Sequence, residues 1–169
     1  MLSSLIFIIM VIINIDLLHR IFAVLQSGLS VFLVGSTDSG KTQFVQNELI
    51  PFLNKRGMRV NYFASCDKLS KEGIKDADFI IVDEVEVMQD IHFLEAIHPK
   101  ERPYYSLQYT NKVEKWFRAL NRIRQPGVFI VTRKKRAIPN FIKNVQTLDW
   151  NGKDAEAVEF ASGRSHAGA

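Results

Sequence analysis

The sequence predicts an α/β fold, a parallel five-stranded sheet with helices on both faces, making a three-layer αβα sandwich. Three observations predict it. Short apolar segments that read as strands alternate with helical segments across residues 29–150. A glycine-rich stretch, Gly35–Thr42, stands between a strand and a helix. The apolar run Phe79–Val82 ends in an acidic pair, Asp83–Glu84.

Taken in order, Leu17, Leu18, Ile21, Phe22 and Leu25 recur at helical spacing, and Ser27–Gly28 closes that helix. Leu29–Val34 is a short apolar strand. Lys41–Lys55 is helical and ends at Arg56–Gly57, with Pro51 expected to bend its last turn or end it early. Arg59–Ala64 alternates as a second strand, and Lys68–Lys75 is a short polar helix or loop. Phe79–Val82 is apolar throughout, the mark of a strand buried on both faces. Val87–Ile97 reads as a helix, His98–Asn111 as a loop rich in Pro and Tyr, and Val113–Arg124 as an amphipathic helix. Gln125–Gly127 turns into a fourth strand, Val128–Thr132. Ile138–Lys143 is a short helix and Val145–Asp149 the fifth strand. The resulting organisation is an N-terminal hydrophobic or amphipathic helix over 1–28, a core over 29–150, and a C-terminal tail over 151–169 that is small, polar and expected to be disordered from about Ala161.

At 169 residues and 47% hydrophobic, the chain suits one domain with a single core. Its net charge of +4 is unevenly spread. Residues 112–136 hold nine Lys or Arg (112, 115, 118, 122, 124, 133, 134, 135, 136) against Glu114, a local +8 that leaves −4 for the remainder. Such a block suits nucleic acid, a polyphosphate or an acidic partner, and equally an ordinary solvated helix face. Cys66 is the single cysteine, which excludes an internal disulfide and a cysteine-based zinc site and suits a reducing compartment. A cytoplasmic location follows as the expectation. The apolar run Leu5–Ile13 is shorter than the roughly 20 residues of a bilayer crossing. It lacks the flanks of a signal peptide. Packing on the domain or on a neighbouring subunit is favoured for it, and membrane contact through residues 1–16 is the alternative.

Gly35-Ser-Thr-Asp-Ser-Gly40-Lys41-Thr42 is a complete Gly-x-x-x-x-Gly-Lys-Thr, the Walker A pattern. Its two glycines let the backbone curl until successive N–H groups of Gly35, Ser36, Thr37, Asp38, Ser39 and Gly40 face phosphate oxygens. The following helix adds its positive end. Lys41 would reach the β- and γ-phosphates, and Thr42 would give a hydroxyl to Mg²⁺. Asp83–Glu84 falls at the carboxyl end of a strand, where parallel sheets bind ligands. Asp83 would hold the metal and Glu84 would polarise an attacking water.

With both motifs in hand, the chain resembles the P-loop NTPase superfamily, and within it the additional-strand, catalytic-glutamate branch that includes AAA+ and RecA-like proteins. That resemblance implies strand order 5-1-4-3-2, with Thr132 at the tip of the central fourth strand sensing the γ-phosphate and Arg133 adding charge there. Ile81–Met88 followed by Phe93-Leu-Glu-Ala resembles small nucleoside-triphosphatases. Ile138-Pro-Asn-Phe-Ile resembles the sensor region of DNA-pumping motors, which carry Gln where Thr132–Arg133 stands. The P-loop itself also resembles those of polynucleotide kinases, a reading that Glu84 disfavours. The implied activity is Mg²⁺-dependent binding and hydrolysis of ATP or another NTP. Nucleic acid through 112–136 is an expected partner, with Arg118, Arg122 and Arg124 as candidate fingers across a homo-oligomer boundary. A stand-alone NTPase, a kinase and a membrane-attached assembly ATPase are the alternatives.

Overall fold

The computed structural model describes residues 15–85, 123–145 and 155–160. Helix α1 covers residues 15–26 and leads into strand β1 (Ser30–Gly35). Helix α2 is continuous over three segments, Lys41–Phe44, Val45–Leu49 and Ile50–Asn54. Strand β2 (Val60–Phe63), helix α3 (Lys71–Lys75) and strand β3 (Phe79–Val82) follow. Strand β4 (Gly127–Thr132), helix α4 (Ile138–Val145) and strand β5 (Ala155–Glu159) complete the described chain.

All strand pairs are parallel, in the order β2-β3-β4-β1-β5. Read from the other edge, this is the expected 5-1-4-3-2. Continuous apolar strands arise because both faces of the sheet are covered. On one face Phe32, Val34, Ile80, Val82, Phe129 and Val131 pack with Ile138 and Phe141 of α4. On the other, Val31, Leu33, Ile81, Val128 and Ile130 pack with α1 and α2. Successive residues of β1 thus alternate between the two cores, as the pleat requires.

Helix α1 buries Leu18, Ile21, Val24 and Leu25 in the second core, so this part of the N-terminal segment packs on its own domain. The Arg56 guanidinium lies 3.5 Å from the Phe52 ring centroid and 5.4 Å from that of Phe22, tying α2 to α1. Both helices end as their glycines suggest. Leu29 N–H donates to Val24 O and Gly28 N–H to Leu25 O, and Met58 with Gly57 repeats the pattern on Leu53 and Asn54. Among the described residues, no helix is long and apolar enough to cross a membrane.

Two expectations need correction. Pro51 does not end α2 early. The helix runs to Asn54, and the strain is absorbed upstream by a π-helical segment, Val45–Leu49, closed by Ile50 N–H on Val45 O. A proline ring clashes with the carbonyl four residues back, and widening the preceding turn relieves that contact. The fifth strand is not Val145–Asp149. Val145 belongs to α4, and β5 is Ala155–Glu159, inside the range read as a tail. Being an edge strand paired to β1 on one side only, it needs few apolar residues, and only Val158 is buried. The expected helices Val87–Ile97 and Val113–Arg124, the 98–111 loop, and residues 1–14 lie outside the described residues, apart from Ile123 and Arg124, which are not helical.

Candidate nucleotide site

The carboxyl ends of β1, β3 and β4 meet at one edge of the sheet, and the chemistry-bearing residues gather there. The loop from Gly35 to Gly40 is shaped by close approach. A Cβ on Gly35 would stand 2.7 Å from Ser39 Oγ and 2.8 Å from the Phe160 carbonyl oxygen, so no larger residue fits. Gly40 has φ 87°, the left-handed conformation that frees the backbone to enter α2. Asp38 is also left-handed at φ 58°, a conformation aspartate tolerates better than most residues.

Lys41 folds back over this loop. Its Nζ donates to Gly35 O at 3.1 Å, Ser36 O at 2.7 Å and Ser39 Oγ at 3.1 Å, with the residue only 5% exposed. A buried ammonium is tolerable only when its donors are satisfied, and here the loop's own oxygens satisfy them.

Forty-one residues separate Thr42 from Asp83 in sequence, yet Thr42 Oγ1 donates to Asp83 Oδ2 at 2.7 Å. The same carboxylate oxygen accepts from Tyr62 Oη at 2.9 Å, and Oδ1 accepts from the Glu84 backbone N–H at 2.7 Å. Asp83 is buried, with its backbone N–H on Phe63 O at 2.8 Å, whereas Glu84 is exposed and left-handed at φ 52°. Such a conformation costs about 1–3 kcal/mol for a residue other than glycine and concentrates at functional sites.

A cleft of about 760 Å³ opens over these groups, within the range of small-molecule sites. Thr37, Asp38, Ser39, Gly40, Lys41, Thr42, Asp83, Glu84 and Thr132 line it. Gly35 and Ser36 are not among its lining residues, and their carbonyls accept from Lys41. The register Gly35↔Thr132 places Thr132 beside the loop, because β4 lies between β1 and β3. Arg133 does not join it. Its backbone N–H holds Gly35 O at 3.0 Å, and its buried guanidinium lies 5.0 Å from the Phe141 ring centroid.

Magnesium fits the donor set. It prefers hard oxygens and takes few protein ligands when phosphates supply others. Thr42 and Asp83 present a hydroxyl and a carboxylate in contact, beside the glycine-rich loop.

Tyr62, Gln43 and Ala64 also line the cleft, and none stood out in the sequence. Tyr62 had a signal: it is the penultimate residue of β2, and a polar group at that end flanks the Asp83 strand once β2 neighbours β3. Burial, then the adjacent Asp83 carboxylate, push its phenol up to about 12 from the ordinary 10.0. A raised folded-state value favours the neutral phenol, so this stabilisation is complete below pH 10 and is lost as pH rises through about 12. In metal-free buffer, tyrosinate absorbance should show a late-ionising phenol that is missing in Tyr62→Phe. An unchanged late step in that variant would assign it to another tyrosine.

No protein-family model and no curated protein matches the chain. Among solved structures, it is similar to one described as a DNA replication initiation factor, at 19% identity and a TM-score of 0.44 over 85% of this chain and 44% of that one. AMPPCP-bound DnaA from Aquifex aeolicus shows 18% identity and a TM-score of 0.44, over 84% and 44% of the two chains. The replication initiator DnaA bound to AMPPCP and single-stranded DNA shows 20% and 0.42, over 83% and 44%. The chain therefore spans less than half the length of each. By strand order and by the placement of both motifs on β1 and β3, the chain has the fold of the additional-strand P-loop NTPases.

Proposed function

We propose that the chain binds ATP or another nucleoside triphosphate together with Mg²⁺ and hydrolyses its terminal phosphate. The contact between Thr42 and Asp83 carries this reading, because it joins the two motifs in one cleft that Glu84 and Thr132 also line. The N–H groups of Gly35–Gly40 and the Lys41 ammonium bind the phosphates and absorb charge that develops on them. Magnesium, held by Thr42 and Asp83, supplies further neutralisation of that charge. Glu84, exposed to the cleft, orients and polarises the attacking water. Thr132 supports that geometry from the β4 tip. Capture of a substrate hydroxyl by Glu84 would make the chain a kinase. That reading ranks lower, since a glutamate at this strand end suits activation of water better than capture of a substrate hydroxyl.

Nucleic acid is the partner we propose for the hydrolytic cycle. Lys134, Lys135 and Arg136 are consecutive and exposed, and they begin two residues beyond Thr132. Among the described residues, none of the three forms an ion pair within 4 Å. The test is phosphate release from ATP with and without DNA or RNA. Wild-type protein should turn over in Mg²⁺ and stop in EDTA, and polynucleotide should raise the rate with a gain that fades as salt rises. Absence of Mg²⁺-dependent release removes the proposal. Turnover indifferent to polynucleotide leaves a stand-alone NTPase.

A further inference from the structure

The phosphate loop, the Asp83–Glu84 strand and the Thr132 tip account for three of the strands at the cleft. The fourth strand at the cleft, β2, contributes Tyr62, which neither motif includes. Its hydroxyl has one hydrogen, donated to Asp83 Oδ2 at 2.9 Å. Thr42 donates to the same oxygen at 2.7 Å, and the Glu84 N–H occupies Oδ1 at 2.7 Å. The buried carboxylate is therefore gripped by three donors from three separate segments, and its orientation is set by their common geometry. Because the Thr42 hydrogen is spent on Asp83, the lone pairs of Thr42 Oγ1 are left for a cation. If the Tyr62 bond is lost, Oδ2 is held by Thr42 alone, and only that bond and the Glu84 N–H on Oδ1 still resist rotation about χ2.

We propose that Tyr62 is a positioning residue for the Mg²⁺ site, fixing the Asp83 carboxylate in the orientation that pairs it with Thr42. This rests on the Mg²⁺–nucleotide reading of the cleft. Tyr62 touches neither phosphate nor metal in this role. It acts through Asp83, as outer-sphere partners of metal ligands do. Loss of such a partner typically lowers metal affinity 10- to 100-fold.

The consequence separates from general damage, because phosphate binding by the loop amides and Lys41 does not pass through Tyr62. A fluorescent ATP analogue is titrated onto wild type and Tyr62→Phe, first in EDTA and then at rising Mg²⁺. Phenylalanine keeps the ring that fills the site and removes only the hydroxyl. The expected result is affinity in EDTA within about twofold of wild type, with the half-saturating Mg²⁺ concentration raised roughly tenfold or more. In an Asp83→Asn background, Tyr62→Phe should add little to the Mg²⁺ requirement, since the two residues act in series. A wild-type Mg²⁺ midpoint in Tyr62→Phe overturns the proposal, and so does an equal loss with and without Mg²⁺, which would mark Tyr62 as packing alone. A wild-type chain whose nucleotide binding ignores Mg²⁺ instead sinks the underlying reading of the cleft.

Discussion

Lys41→Ala is expected to weaken ATP binding by about a hundredfold or more and to abolish detectable turnover. The ammonium is already inside the loop, 2.7–3.1 Å from three of its oxygens. A triphosphate entering the cleft competes for those donors with stronger, charged acceptors. Losing two charge-assisted hydrogen bonds at about 1.5 kcal/mol each amounts to about 3 kcal/mol, roughly a hundredfold in affinity. The fold should survive the substitution. Gly35 O keeps the Arg133 N–H at 3.0 Å, and Ser36 O keeps the Ser39 N–H at 3.2 Å. Isothermal titration with ATP and Mg²⁺, beside a urea unfolding curve, measures both quantities. Undiminished binding in a folded Lys41→Ala protein would show that the triphosphate goes elsewhere.

Glu84→Gln should separate binding from chemistry. Glutamine matches glutamate in size and bears the positive φ of 52° at similar cost, so the backbone strain is common to both proteins. What changes is the charge that, in the proposed role, polarises water and accepts its proton, a contribution typically of about a hundred- to ten-thousand-fold in rate. Nucleotide affinity should stay within a few-fold of wild type while turnover falls by that factor. Single-turnover phosphate release with pre-bound ATP reads the chemical step directly. Normal turnover in this variant would remove Glu84 from the mechanism and leave the cleft as a binding site.

How much of this was legible in the chain depended on whether a feature is local. Phe79–Val82 was found to the residue because a strand buried on both faces must be apolar at every position. The Ser27–Gly28 and Arg56–Gly57 helix ends were legible for a similar reason, since left-handed caps are made within a few residues. The fifth strand was expected from Val145, which instead ends α4, because the observed edge strand, Ala-Glu-Ala-Val-Glu, derives its structure from backbone bonds to β1. Hydrophobic patterning cannot see a strand whose partner supplies most of its stabilisation. Pro51 was flagged correctly as a disturbance, but its remedy lay in the preceding turn.

The site divides along the same line. By itself the sequence marked Gly35–Thr42 and Asp83–Glu84 as the candidate site, because these motifs depend on residue type at fixed spacing, and the strand order followed from the family that the motifs resemble. Only the tertiary structure decided that Thr42 and Asp83 touch, that Thr132 faces the cleft while Arg133 turns to Phe141, and that Tyr62 holds Asp83. Those are relations between side chains on different strands, and they exist only once parallel pairing has fixed which neighbours share the sheet's carboxyl edge.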